Sequence, residues 1–140
     1  MPETIFWDAT AFIALGNARD NLHQAAITVS QELAQAQAQV LTTDAILIEV
    51  ANAFSKSTLR PVALQLIEAV QESVTLEVAT IVHIDIDLWQ RGWELYQART
   101  DKDWGLTDCI SFIVMKDYGI HQAFTYDRHF EQAGYVRLLK

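Results

Sequence analysis

Four carboxylates of this chain stand where a folded domain ordinarily buries apolar atoms. Asp8 ends the apolar run Thr4-Ile5-Phe6-Trp7, and Glu49 is the only acid between Ala45 and Ser55. Asp108 precedes Cys109, Ile110, Phe112 and Ile113, and Asp127 follows a segment containing Phe124. Burying an ionised carboxylate without a partner costs several kcal/mol, and few of the 10 Lys and Arg lie near these positions in sequence. A compensating cation is therefore expected. A cluster of Asp and Glu without His or Cys selects a hard, oxygen-preferring ion, Mg2+ or Mn2+ rather than Zn2+. One or two such ions can polarise a phosphodiester, lower the pKa of a bound water so that it attacks phosphorus, and stabilise the leaving oxygen. Thr10, Thr107, Ser111 and Thr125 set hydroxyls beside the acids, suited to orienting ligands or holding a water.

Each acid also has a structural alternative. Asp8 can cap the helix after it, Asp108 can cap its own helix, Asp127 can make a turn, and Glu49 can pair with Lys56 or Arg60. The joint pattern favours the metal site. Glu32, Glu68, Glu72 and Glu94 lie on polar helix faces, and Asp44, Asp85 and Asp87 sit where caps are wanted. His129, beside Asp127 and Arg128, could touch phosphate but reads rather as a solvated residue of a polar turn, and His23, His83 and His121 show no ligand spacing. Cys109 reads as a small buried hydrophobe. Trp89 and Trp93, four residues apart, read as core or a dimer face, and Trp104 is the one indole placed to stack on a base.

The elements that must position these groups follow from apolar spacing. Strands are expected at Thr4–Trp7, Val40–Thr43, Val74–Val78, Gln122–Thr125 and Tyr135–Leu139. Between them lie a short helix Ala9–Leu15, an amphipathic helix from an Asn21 cap, a helix Ala45–Ser55 capped by Asp44, and a helix from Arg60-Pro61 to Ser73. A fifth helix starts at Asp85 or Asp87, and a sixth runs from Leu106 to Tyr118 with Gly119 as its stop. The third helix, apolar on nearly every side, is expected to be buried. Strands alternating with helices imply an α/β domain, three-layer α/β/α with a central mostly parallel sheet, and in such sheets ligands sit at the carboxyl ends of the strands.

Composition narrows the function classes. At 140 residues, 51% hydrophobic and 20% charged, the chain is expected to form one domain over 1–140 rather than a disordered or low-complexity segment. It contains no apolar run of bilayer length and no signal-like start, so a cytoplasmic protein without membrane contact is expected. One cysteine excludes an internal disulfide and a cysteine zinc cage. A net charge of −8 is the wrong sign for holding nucleic acid by broad phosphate neutralisation, so phosphate chemistry here requires metal.

Four stretches resemble PIN-domain ribonucleases, and most of all their single-domain toxin branch: Phe6-Trp7-Asp8-Ala9-Thr10-Ala11, Thr43-Asp44 through Glu49-Val50-Ala51-Asn52-Ala53, Leu106-Thr107-Asp108-Cys109-Ile110-Ser111, and Thr125-Tyr126-Asp127-Arg128-His129-Phe130. The resemblance spans nearly the whole chain. It implies that Asp8, Glu49, Asp108 and Asp127 bind Mg2+ or Mn2+ and cleave single-stranded RNA, with Asp103 as an accessory acid. It also implies a homodimer and a small antitoxin that inserts a segment into the active-site groove. Trp7 before the first acid, and the acidic balance, depart from the family pattern. The rival readings are a non-catalytic metal- or partner-binding PIN-like module and an aspartyl phosphatase, which needs a second Asp where this chain has Thr10.

Overall fold

The first apolar run forms strand β1 (Thr4–Trp7), whose alternating side chains send Ile5 to one face of the sheet and Phe6 to the other. The structure, a computed structural model, describes residues 2–140. After β1 come α1 (Ala9–Gly16), α2 (His23–Gln35), β2 (Gln39–Thr43), α3 (Asp44–Ala53), α4 (Arg60–Thr75), β3 (Ala79–Val82) and α5 (Ile86–Ala98). The chain continues through α6 (Leu106–Asp117), β4 (Gln122–Phe124), α7 (His129–Gln132) and β5 (Val136–Arg137). The strands form one parallel sheet in the order β3-β2-β1-β4-β5.

That order reverses at β1. The chain winds outward through β2 to β3, then returns to the other side of β1 as β4 and β5. Helix α2 and one side of α1 cover the Ile5 face, with Ala11, Ala14 and Ala26 packed on Phe124 and Leu139. On the Phe6 face, Ile46 and Val50 of α3, Phe112 of α6 and Phe130 of α7 complete the larger core. This is the expected three-layer α/β/α arrangement, with every strand pair parallel.

Local departures have local causes. The alternating segment Val74–Val78 is not a strand: α4 continues to Thr75, Glu77 takes a left-handed φ of 62°, and the Val78 N–H closes the helix end on the Ser73 carbonyl at 2.9 Å. Pairing begins only at Ala79, opposite Val40. Helix α3 is not buried all round, because only Ile46 and Val50 face the core and Ile48 is 59% exposed. Its cap is Thr43, whose Oγ1 accepts the Ile46 N–H at 3.2 Å. Asp44 instead accepts the Ile84 N–H, tying α3 to the end of β3. Helix α2 starts at His23 rather than at an Asn21 cap, the entry turn being held by the Leu22 N–H donated to Asp20 Oδ1 at 2.8 Å.

Helix α6 is set in place by α5. Gly92 faces Ile110 so closely that a Cβ on it would lie 2.5 Å from Ile110 Cγ1. Gly92→Ala is therefore expected to lower stability in EDTA by about 1–3 kcal/mol through overpacking, outweighing the roughly 0.8–1.0 kcal/mol that Ala gains over Gly in a helix. Urea denaturation of the two proteins measures it; equal or greater stability of the variant would show that the helices separate freely.

Candidate active site

The site forms where the sheet's winding reverses, at the carboxyl ends of β1 and β4. Asp8 follows β1 directly and is 5% exposed. Its Oδ2 accepts the Thr125 hydroxyl at 2.7 Å and the Thr10 hydroxyl at 3.0 Å. Those hydroxyls are fixed in turn: Thr10 Oγ1 accepts the Tyr126 N–H and Thr125 Oγ1 accepts the Asp127 N–H, both at 3.0 Å. Although Asp8 occupies the N-cap position of α1, its side chain makes no cap hydrogen bond. Burial raises its carboxyl to about 6 against the pull of these hydroxyls and the Ala9 N–H, and negative Asp108 adds to the rise.

Asp108 and Asp127 are partly buried beside Asp8. Asp108 is the third residue of α6, and its Oδ2 accepts the N–H of the capping residue Gly105 at 3.1 Å. Because Gly105 has no side chain to answer, this is half of a capping box. Asp127 Oδ1 accepts the His129 N–H at 2.9 Å, a turn that opens α7. The cap and turn alternatives are thus both real, and each leaves carboxylate lone pairs over. Burial raises the Asp108 carboxyl, His129 and the Gly105 N–H oppose this, and Asp127 adds repulsion.

Glu49 stands on the exposed side of α3, so the expectation that it lies in a buried helix is corrected. Its carboxyl is still raised: partial burial leads, the Thr107 hydroxyl opposes, and Asp108 and Asp127 repel. Asp108 thus acts on both Asp8 and Glu49, and Asp127 on both Glu49 and Asp108, so the acids lie close enough to repel one another. Arg60 turns away to the Ser55 carbonyl, and no Lys or Arg forms an ion pair with Asp8, Glu49, Asp108 or Asp127 among the described residues.

Other expectations sort by contact. Thr10 and Thr125 donate to Asp8, and the Thr107 hydroxyl acts on Glu49 only by lowering its carboxyl. Ser111 Oγ is buried without a hydrogen-bond partner and touches none of the acids' oxygens by hydrogen bond. Asp103 lies exposed in the loop before α6 and enters no ion pair among the described residues. Trp104 is buried edge-on against Phe112, with its Nε1–H donated to Gln132 Oε1 at 3.0 Å, and so is packing rather than a base platform. Cys109 is a buried free thiol. The residue that sequence reasoning missed is His129. It is no solvated bystander: Nδ1 lies 2.9 Å from Asp108 Oδ2 and 3.3 Å from Asp127 Oδ1. The signal was the Asp-x-His spacing after a strand, since the turn that Asp127 makes brings the side chain two residues on alongside it.

A sequence model of the PIN domain matches residues 5–135, nearly the full length. The chain belongs to the PIN-domain family. Among curated PIN relatives, the 23S rRNA-specific endonuclease VapC20 of Mycobacterium tuberculosis is 28% identical over 137 residues, covering 96% of this chain and 97% of that protein. The crystal structure of M. tuberculosis VapC20, described as a Sarcin-Ricin loop cleaving toxin, superposes with a TM-score of 0.79 at 27% identity, covering 94% of this chain and 96% of the other. A second PIN-like structure, VapBC2 from Rickettsia felis bound to a promoter DNA fragment, shares the fold alone, with a TM-score of 0.67 at 12% identity and 96% of both chains covered.

The buried acid gives this PIN domain a pH signature. Between the ordinary Asp value of 3.8 and the folded value of about 6, the native state holds a proton that the unfolded chain has lost. The Asp8 contribution therefore falls as pH rises through that window, and above it ionised Asp8 costs about 3 kcal/mol in the absence of metal. Asp8→Asn cannot ionise. Subtracting its urea-denaturation stability from that of wild type, in EDTA and across that pH range, should return this slope; a difference independent of pH would show that Asp8 stays ionised throughout.

Proposed function

We propose that the chain, a single nuclease domain over 1–140, is a divalent-metal-dependent endoribonuclease and the toxin of a toxin–antitoxin pair, acting in the cytoplasm. What supports the reading is the mutual repulsion of Asp8, Glu49, Asp108 and Asp127 near the switch point, with no Lys or Arg paired to them among the described residues. The similarity to an rRNA endonuclease over nearly the whole length of both chains supports RNA as the substrate and makes large-subunit rRNA the first to test.

The donor set fits Mg2+ or Mn2+. Ligand atoms of Asp108, Asp127 and His129 lie within 4.8 Å of one another, close enough to share an ion, and raised carboxyl pKa values mark a site that gains by accepting positive charge. Asp8, Glu49, Asp108 and Asp127 would hold it, and when bound it supplies positive charge to the scissile phosphate and acidifies the attacking water. The chain's own residues set the geometry. Thr10 and Thr125 hold Asp8 Oδ2 at a fixed point, and through the Tyr126 and Asp127 N–H groups they lock the β4 loop to the β1 end. The Thr107 hydroxyl favours the charged form of Glu49. The network leaves little freedom to reorganise, which is the protein's part in a displacement at phosphorus.

Two kinds of partner belong to this reading. A groove of unpaired carboxylates favours an antitoxin segment that presents Arg or Lys, whose forked or ammonium donors match them. Self-association is supported by a strip on α5 in which Trp89, Trp93 and Tyr96 stack in near-parallel succession, centroids 6.3 and 5.6 Å apart, while remaining substantially exposed. The expected alternative of core burial does not apply to them. Sedimentation should give a dimer for wild type and a monomer for a Trp89→Ser, Trp93→Ser variant; a dimer from both would move the interface elsewhere.

Cleavage of RNA should require Mn2+ or Mg2+ and stop in EDTA. Removing residues that merely orient metal ligands costs about 10–100-fold, so Asp8→Asn and Asp127→Asn should each lower the rate by at least about 100-fold. Gel assays on rRNA settle it, since a non-catalytic binding module leaves RNA intact with or without metal.

A further inference from the structure

The Nδ1 atom of His129 lies beside two of the acids with a geometry that suits a second task. Asp108 Oδ2 and Asp127 Oδ1 are 2.9 and 3.3 Å from it, and the three residues form a set whose ligand atoms all lie within 4.8 Å of one another. Adjacent donors on an octahedral ion with bonds of about 2.1 Å are separated by roughly 3 Å, the bond length times the square root of two. Both short separations therefore match neighbouring corners of one coordination sphere as well as they match hydrogen bonds.

The backbone supports this. The His129 N–H donated to Asp127 Oδ1 at 2.9 Å fixes the turn that carries both side chains, so neither has to be recruited from solvent. Asp108 Oδ2 spends one lone pair on the Gly105 N–H, and Asp127 Oδ1 spends one on His129 N–H. One lone pair on each oxygen remains. The expectation of a cluster made of carboxylates alone, on which an indifferent choice between Mg2+ and Mn2+ rested, does not hold for this groove.

We infer that His129 Nδ1 is a ligand of the divalent ion, together with Asp108 Oδ2 and Asp127 Oδ1, and that it biases the site toward Mn2+ over Mg2+. This inference rests on the metal-dependent reading above. Mg2+ takes oxygen donors and keeps its waters, whereas Mn2+ accepts an imidazole nitrogen more readily. A nitrogen corner thus costs Mg2+ more than it costs Mn2+.

The test is electron spin-echo spectroscopy of the purified chain loaded with Mn2+, using histidine labelled with 14N or 15N, alongside Mn2+ and Mg2+ titrations of wild type and His129→Gln. Directly bound imidazole gives a modulation that changes with the isotope, and the wild-type spectrum needs no variant to interpret. His129→Gln should abolish the modulation and weaken Mn2+ binding by about tenfold or more, with Mg2+ binding much less affected. Gln retains a side-chain N–H for Asp108, so a role limited to hydrogen bonding would leave both affinities unchanged. Mn2+ bound without a nitrogen signal, at an unchanged Mn2+ to Mg2+ ratio, would overturn this inference and leave the nuclease reading standing. Failure of Mn2+ to bind at all, with Asp8→Asn and wild type alike, would overturn both.

Discussion

A carboxylate closed off from water, with hydroxyls and a backbone N–H but no cation around it, is the constraint on which the rest of the structure turns. Asp8 can be buried only because Thr10 and Thr125 donate to the same oxygen. Thr10 reaches it from the first turn of α1 and Thr125 from the end of β4, so the two elements on either side of Asp8 are fixed by its charge. Parallel pairing of β1 with β4 supplies the required closeness, with Trp7 opposite Phe124 and the Asp8 N–H donated to the Phe124 carbonyl at 3.1 Å. Satisfying the oxygen does not neutralise it. The carboxyl remains raised, and the acids of α3, α6 and the β4 loop add negative charge around it.

No Lys or Arg answers this repulsion among the described residues, and three of the arginines are paired elsewhere. Arg91 forks onto Asp117 and reaches Asp87, which ties α5 to α6 away from the groove. Arg99 pairs with Asp101 and lies over the Trp104 ring, and Arg137 pairs with Glu131 while its guanidinium covers Tyr126. The Arg91 and Arg99 pairs are solvent-facing and contribute little stability individually, whereas the Arg137 side chain is nearly buried. Their consequence is spatial, since these three guanidinium groups are held away from Asp8, Glu49, Asp108 and Asp127.

The sheet was legible in the sequence where apolar runs ended in turn residues, as at Thr4–Trp7 and Gln122–Phe124, and where an abrupt acid followed them. Val74–Val78 misled because alternation over five residues fits a strand and a helix end equally well; the left-handed Glu77 that decides between them leaves no mark on hydrophobic period. The burial expected of Glu49 rests on a helix that is not buried. Its helix looks apolar all round in sequence, yet Ile48 and Glu49 face outward, and what raises its carboxyl is first partial burial and then the neighbouring acids. His129 escaped because its partner Asp108 is 21 residues away in sequence, and only the packing of α7 against α6 joins them.

Capping and turning are carried here by the same carboxylate oxygens that, on the function proposed above, would hold the metal ion. Asp108 Oδ2 ends the orphaned N–H of Gly105 and faces His129, and Asp127 Oδ1 builds the turn that opens α7 while facing the same imidazole. Substituting either acid removes a structural hydrogen bond and relieves like-charge repulsion together, two effects of opposite sign and comparable size. A small net change in stability is therefore compatible with a large loss of metal affinity. For Asp8 the balance differs, because its side chain caps nothing and its hydroxyl partners can hydrogen-bond each other, lying 3.1 Å apart. Among Asp8, Asp108 and Asp127, Asp8 is thus the one whose charge is kept with no capping or turn-making duty to account for it.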